Sequence, residues 1–323
     1  MLKKVKHPVL FQGNLDKKKY FEGWYYKQVT ADQQTSLSFI PAVSLNAEDS
    51  HSFIQYILVQ TDAEGVKQTQ TGYLAYAVSA FTYSESPFSV TISSSTFTEQ
   101  SVAVDLQDEH MQISGQLTFG NLHPLQTSLL QPNIMGIFAY IPRMECYHGV
   151  ISMKHRLTGS LSIKGQEVDF TGGRGYIEKD WGKSFPKEYI WLHSNHFEDP
   201  SASLFFSIAH IPFYFTEFEG FICNFVLKDK EYRFATYNGS RCQIKEVDSE
   251  FVHIQLENKK ARLDIQAEVF GQGQLTAPVQ GKMVKTIKEG ISGVVSIELE
   301  DKVAGKVYQD TGENAGVEIV DYN

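Results

Sequence analysis

The chain has 323 residues, a net charge of −9 and 42% hydrophobic residues, values typical of a globular protein long enough for two domains. The negative charge and the scarcity of basic clusters exclude nucleic-acid binding as the main activity. No stretch approaches the roughly eighteen apolar residues of a membrane-spanning helix, and the N-terminus lacks the apolar core of a signal peptide. We therefore expect a cytoplasmic protein.

Short apolar or alternating segments, separated by Gly, Asn, Asp, Ser and Pro, recur along the whole chain. Examples lie at 52–59, 88–92, 111–119, 157–163, 220–227, 251–256 and 262–269. Strands at this density, with turn residues between them, are typical of all-β sandwiches and barrels. The best helical candidate is the segment 133–147, which Gly136 and Pro142 interrupt. The pattern predicts an all-β protein.

A faint internal repeat divides these strands into two sets. Trp24 and Trp191 each precede a leucine by 13 residues, and the two tryptophans are 167 residues apart. In both copies a polar turn separates the tryptophan from the leucine, so the copies share a strand-turn-strand rhythm. We infer two similar antiparallel β-barrels in tandem, the first in residues 1–168 and the second in residues 169–323.

The first strand carries Glu22, Trp24 and Tyr26 at alternating positions, so the three side chains share one face. Gly23 directly before Trp24 resembles the lipocalin signature, in which the indole closes one end of the barrel. Under that interpretation Trp24 is a core residue and Glu22 lies at the rim. The alternative is that all three side chains contact a substrate.

The segment 175–182 is the richest in reactive side chains. On a strand, Tyr176, Glu178 and Asp180 share a face, and the two carboxylates are about 7 Å apart at Cα. In a poorly hydrated cavity, desolvation and mutual repulsion raise the pKa of at least one member of such a pair. A neutral carboxylic acid in an apolar pocket is the group that protonating an alkene requires. The alternative is a buried polar network with a structural role.

Aromatic and polar side chains near this segment complete a candidate site. The rings of Trp181 and Trp191 could stabilise a carbocation. Trp191, His193 and Asn195 share a face of the next predicted strand, and the last two could orient the acid or hold a substrate hydroxyl. We therefore predict that Trp181, Trp191 and Asn195 bind substrate, together with the three residues of the first strand.

The histidines do not indicate a metal site. His193 and His196 are offset by three residues, which places their imidazoles on opposite faces of a strand. The other histidines, His148 among them, are scattered along the sequence without ligand spacing. We therefore predict neither a metal nor another cofactor.

Four segments together resemble the tocopherol cyclase-like family, namely 21–26, 175–186, 191–197 and 312–319. Wider relatives are carotenoid hydratase-type proteins built from two lipocalin-like barrels, so the resemblance implies the barrel type. It also implies acid catalysis on an isoprenoid: an alkene is protonated, and the tertiary cation is captured by a phenol in the cyclase or by water in the hydratases.

The resemblance also implies roles for individual residues. The hydratases have a Tyr-x-acid pattern shortly before Trp-Gly, and Tyr176 and Glu178 fill that pattern here. By this resemblance Glu178 is the proton donor, Asp180 and Tyr176 are its partners, and Trp181 and Trp191 are aromatic walls of the site.

The sequence as a whole predicts a cofactor-independent enzyme, either a cyclase of the intramolecular lyase or isomerase type or a hydratase, acting on a prenylated or isoprenoid substrate. Because such substrates reside in bilayers, transient contact with a membrane surface is expected. The alternative is a non-catalytic lipocalin-like carrier of a large hydrophobic ligand. A carrier requires a cavity but does not require an acid that faces it.

Overall fold

The computed structural model describes residues 2–213 and 216–322. Over these residues the regular secondary structure is almost entirely antiparallel strand, which confirms the all-β class. A short helix, α1 (Leu2–Lys6), precedes the strands, and three short 3-10 helices lie at Val78–Ala80, Gly136–Tyr140 and Thr236–Asn238. No helix in this part of the chain is long and apolar enough to cross a membrane.

The first twelve strands are β1 (Lys19–Val29), β2 (Thr35–Asn46), β3 (His51–Thr61), β4 (Lys67–Ala77), β5 (Phe81–Glu85), β6 (Phe88–Ile92), β7 (Ser95–Thr98), β8 (Ser101–Gln107), β9 (Gln112–Phe119), β10 (Cys146–Ile163), β11 (Gln166–Asp169) and β12 (Arg174–Gly182). They form one sheet in the order β4-β3-β2-β1-β12-β10-β9-β8-β7-β6-β5, and β11 pairs with β10. Over the described residues this order runs from one edge strand to another.

The remaining strands are β13 (Tyr189–Ser194), β14 (His196–Phe197), β15 (Ser203–Phe213), β16 (Thr216–Leu227), β17 (Lys230–Ala235), β18 (Arg241–Val247), β19 (Phe251–Glu257), β20 (Ala261–Glu268), β21 (Gln272–Val279), β22 (Lys282–Asp301) and β23 (Lys306–Val320). Their order is β17-β16-β15-β13-β23-β22-β20-β19-β18, with β14 paired to β23 and β21 paired to β22. The described residues thus form two large antiparallel sheets.

The chain divides into two compact units. The first consists of Met1–Met135, Ala139–Phe185 and Leu275–Thr286, and the second of Gly136–Phe138, Pro186–Gln274 and Ile287–Asn323. This division differs from the predicted boundary between residues 168 and 169. β12 was assigned to the second domain, but its two neighbours in the sheet, β1 and β10, belong to the first unit. The turn before β12 therefore returns the chain to the same sheet and does not link two domains.

The internal repeat has the predicted strand rhythm but a shifted register. Leu37 and Leu204 occupy equivalent positions of β2 and β15, and both lie in the core of their unit. When the residue numbers of β1 and β2 are shifted by 167, their register differs by one residue from the register of β13 against β15. A one-residue shift turns a strand's side chains to the other face. Trp24 accordingly lies in the core of the first unit, whereas Trp191 lies outside that of the second.

A buried ion pair stands on the core side of the first sheet. Lys179 of β12 contacts Glu22 of β1, and both side chains are fully buried. The Lys179 ammonium also donates to the carbonyl of Pro8 at 2.9 Å and lies 4.5 Å from the Trp24 ring. Glu22 accepts the backbone N–H of Gln12 at 2.7 Å. The two charges therefore fix the N-terminal segment against the sheet, although burial lowers the pKa of Lys179 to about 8.

Glu22→Gln tests the stabilising role of this pair, because it leaves Lys179 as an uncompensated buried charge. Loss of one partner of a buried ion pair costs about 3–5 kcal/mol, and we expect the free energy of unfolding in urea to fall by that amount. Glu257→Gln is the matched control, since Glu257 pairs with Lys302 at the surface and exposed pairs contribute little. An equal decrease in the free energy of unfolding in the two variants would contradict a stabilising role for the ion pair between Lys179 and Glu22.

Candidate active site

His148 of β10 lies between two carboxylates of β12. Its Nδ1 is 2.8 Å from Oδ1 of Asp180, and its Nε2 is 3.2 Å from Oε2 of Glu178. The strand pairing produces this arrangement, because His148 stands directly opposite Asp180 in the ladder between β10 and β12. Alternation along β12 then brings Glu178 to the same face as Asp180.

Tyr176 extends the chain of contacts from Glu178 into the interior. Its hydroxyl donates to Oε2 of Glu178 at 2.5 Å, which confirms that the two side chains share a face. Tyr25 of β1 stands opposite Glu178 in the ladder, with its ring 6.4 Å from that of Tyr176, and its hydroxyl accepts from Ser38 Oγ at 2.9 Å. All four side chains are buried, so the acid group of Glu178 lies among hydroxyl groups and aromatic rings.

The electrostatics of the cluster make His148 a cation at neutral pH. Burial disfavours the charged imidazole, but the negative charges of Asp180 and Glu178 outweigh burial and raise the pKa of His148 to about 10. Both ring nitrogens then carry protons, and each faces a carboxylate oxygen. Burial and the nearby Glu178 also hold the pKa of Tyr176 well above its usual range, so this hydroxyl remains a donor.

The exposure of the side chains to solvent increases along the cluster from Glu178 to Asp180. The Glu178 side chain is 6% exposed and that of Asp180 is 25% exposed, with His148 between them. Lys27 of β1 is buried opposite Tyr176 and is a second basic side chain on this face. The arrangement connects a buried carboxylate, through an imidazole, to a carboxylate that contacts solvent.

The same three side chains could hold a metal ion. One ligand atom from each of His148, Glu178 and Asp180 lies within 4.8 Å of the others. An imidazole must be neutral to ligate a metal, and the raised pKa of His148 favours the protonated, ion-paired form. A metal would therefore have to displace a tightly held proton.

The predicted residues of the first strand lie on the other side of the sheet from this cluster. Glu22 pairs with Lys179, the Trp24 indole donates to the carbonyl of Val9 at 2.7 Å, and the Tyr26 hydroxyl donates to that of Thr98 at 3.0 Å. The structure does not bring these three together with Tyr176 and Glu178. Their contacts are those of a filled core, as the lipocalin-like interpretation predicts for Trp24. The predicted rim position of Glu22 is wrong, because this side chain is fully buried.

Trp181 also points away from Glu178, because it is offset from that residue by an odd number of positions along β12. Its ring stacks on Tyr147 with centroids 5.5 Å apart and lies 5.0 Å from the Lys179 ammonium. This position differs from the predicted aromatic wall beside the acid. Aromatic rings that do lie on the face of Glu178 in the first unit include those of Tyr25 and Tyr176.

The other predicted site residues belong to the second unit. Trp191 and His193 lie on one face of β13 with ring centroids 6.5 Å apart, and Tyr189 on that face donates to Glu318 at 2.6 Å. This face is opposite the apolar core of the second unit, and Asn195 is buried just beyond the end of β13. The second unit thus has its own buried face of aromatic and polar side chains.

Within the first unit, the imidazole that contacts Glu178 is His148, whereas the sequence favoured His193 for that role. Lys164 and Gly165, with positive φ values of 52° and 79°, form the turn between β10 and β11, but this turn gives only an approximate signal for His148. A regular hairpin about the two residues sets His148 opposite Trp181. The register of β10 against β12 is irregular between Val150 and His155, and the observed partner of His148 is Asp180.

A sequence model of the family described as tocopherol cyclase-like matches residues 97–320. No curated protein matches the chain. Among solved structures, kievitone hydratase from Nectria haematococca aligns with a TM-score of 0.55 at 9% identity, over 98% of this chain and 94% of that chain.

The protein CghA has a similar structure. It aligns with a TM-score of 0.54 at 10% identity, over 94% of this chain and 88% of that chain. CghA with Sch210972 gives a TM-score of 0.53 at 9% identity, over 94% and 89% of the two chains. At such identities the likeness is one of fold. The family match spans more than half of the sequence, and the chain therefore belongs to the tocopherol cyclase-like family.

Proposed function

We propose that this protein is an acid-catalysed cyclase or hydratase that acts on a prenylated or isoprenoid substrate. The observation that carries the proposal is the series Tyr176, Glu178, His148 and Asp180, in which the Glu178 carboxyl is buried and that of Asp180 contacts solvent. The family is named for a cyclase, and one protein of similar fold is a hydratase. Both reactions can begin with protonation of an alkene, and a buried carboxyl group is suited to that step.

Glu178 is the proton donor in this proposal. Its O–H bond breaks as a C–H bond forms at the less substituted carbon of a trisubstituted alkene, which leaves a tertiary carbocation. Tyr176 and His148 both face Oε2 of Glu178, so the proton to be transferred is best carried by Oε1. The two donors stabilise the carboxylate that remains after transfer.

The cation is then captured by an oxygen nucleophile. A hydroxyl group of the same molecule closes a ring, which makes the reaction an isomerisation, whereas a water molecule gives a tertiary alcohol. In either case the oxygen that captures the cation then loses a proton, and this proton balances the one that Glu178 supplied. His148 and the more exposed Asp180 connect Glu178 to solvent, so Glu178 can be reprotonated after each turnover.

Glu178→Gln tests the assignment of the acid. Purified protein is incubated with prenylated hydroquinones, prenylated phenols and acyclic isoprenoids, and products are identified by mass as isomers or as water adducts. We expect the wild type to convert at least one class, and Glu178→Gln to lower the rate by about 10²–10⁴-fold. Asp169→Asn, which changes an exposed carboxylate on β11, should retain full activity.

The same assay separates the enzyme from the carrier. Full turnover by Glu178→Gln would contradict the role of Glu178 as proton donor. If the wild type and the variant bind every substrate class equally and leave the bound compound chemically unaltered, the result supports a carrier and refutes the enzyme.

The pH dependence of stability tests the charge of His148. Its pKa is raised from 6.5 to about 10, so the stability that its ion pairs provide is complete below pH 6.5 and is lost as the pH rises through about 10. The difference in free energy of unfolding between wild type and His148→Gln should therefore shrink across this window, by at most about 1.4 kcal/mol per pH unit. Urea denaturation at several pH values measures it. A difference that does not change with pH would show that His148 is not held as a cation.

A further inference from the structure

Two adjacent leucines between β9 and β10 are strongly exposed. Leu129 is 77% exposed, the largest value for a big apolar side chain among the described residues, and Leu130 is 72% exposed. Tyr140 is 40% exposed, and its hydroxyl donates to the carbonyl of Leu129 at 2.8 Å. We call these three residues the leucine tip. The hydrogen bond holds its backbone in place while both leucine side chains point into solvent.

Basic residues flank the leucine tip. Asn133 donates to the carbonyl of Val5 at 2.9 Å, which sets α1 beside the segment that carries the tip. Three of the five residues of α1 are lysines: Lys3, Lys4 and Lys6. Glu85 pairs with the first two of them, so two positive charges remain in excess on α1. Arg143 is exposed in the same segment as the tip, where the half-buried Glu145 carries the opposite charge. This local positive charge contrasts with the net charge of −9.

The leucine tip is also joined to the strands of the candidate active site. The Tyr147 hydroxyl donates to the carbonyl of Ile141 at 2.7 Å, next to Tyr140 in the sequence. The Tyr147 ring stacks on Trp181 of β12 with an interplanar angle of 6°, and the residue that follows it is His148. These contacts join the tip to β10 one residue before His148, on the face of the sheet opposite the histidine.

We infer that the leucine tip and α1 dock the protein on the surface of a bilayer that contains anionic lipids. The leucines would enter the boundary between head groups and acyl chains, the Tyr140 hydroxyl would remain at head-group level, and the basic side chains would contact lipid phosphates. A stable protein–protein interface needs about 1,000 Å² of buried surface, more than two leucines and a tyrosine supply. The choice of a bilayer rests on the proposed function, since an isoprenoid substrate would be dissolved in one.

Flotation with lipid vesicles tests the inference on the full chain. Vesicles of phosphatidylcholine alone are compared with vesicles that also contain phosphatidylserine, at low and high salt. We expect wild-type protein to float with the anionic vesicles and to be released by salt. Leu129→Ser with Leu130→Ser should weaken binding at least about tenfold, and Lys3→Gln with Lys6→Gln should weaken it on the order of fivefold per lysine.

Val303→Ser with Val307→Ser is the matched control, because these valines are 74% and 64% exposed in the second unit. This variant should bind like the wild type. The inference is overturned if wild-type protein does not float with anionic vesicles, or if the leucine variant binds as tightly as the control. It is likewise overturned if the leucine variant abolishes a concentration-dependent dimer while vesicles bind neither protein.

The vesicles contain no substrate, so the test is independent of turnover. Glu178→Gln should float like the wild type. Intact flotation without turnover on any substrate class would refute the proposed function alone. Turnover of a detergent-solubilised substrate without flotation would refute the docking surface alone.

Discussion

The buried charges of β12, those of Glu178 and Lys179, each face an opposite charge on a neighbouring strand, and the arrangement of the first unit depends on this pairing. Lys179 points to the core and pairs with Glu22 of β1, while Glu178 and Asp180 point the other way and pair with His148 of β10. An isolated buried charge is strongly unfavourable. β12 is therefore compatible with burial only between β1 and β10, where both faces are compensated.

The two faces of β12 have different surroundings. On the core face the chain's own residues occupy the space: Val9, Leu10 and Phe11 are buried with Trp24 in one apolar cluster. On the other face the charged series ends at a carboxylate that solvent reaches. A lipocalin-like sequence signature suggests a ligand inside the barrel, but the acid group of this protein lies on the opposite face from that core. A substrate of Glu178 must therefore be bound on that face.

Local features of the site could be predicted from the sequence, and non-local ones could not. Period-2 alternation placed Tyr176 and Glu178 on one face, and the hydrogen bond between them confirms it. The partners of β12 depend on which strands pair, and spacing along one segment does not determine that. The same limit explains Trp191, because a one-residue shift in the pairing of β13 with β15 is invisible in the repeat yet reverses the face on which its side chain lies. His148 could not be placed beside Asp180 in the same way, because a regular hairpin about Lys164 and Gly165 sets Trp181 opposite it, and the register of β10 against β12 is irregular.

Turnover in D2O tests the central claim most directly, because an acid that exchanges with solvent would deliver a deuteron to the alkene carbon. The account predicts that the product carries one deuterium that does not wash out, at the less substituted carbon of the former alkene, whether an isomer or a water adduct is formed. A product formed without deuterium at that carbon would contradict protonation by Glu178 and by any other exchangeable acid of the site.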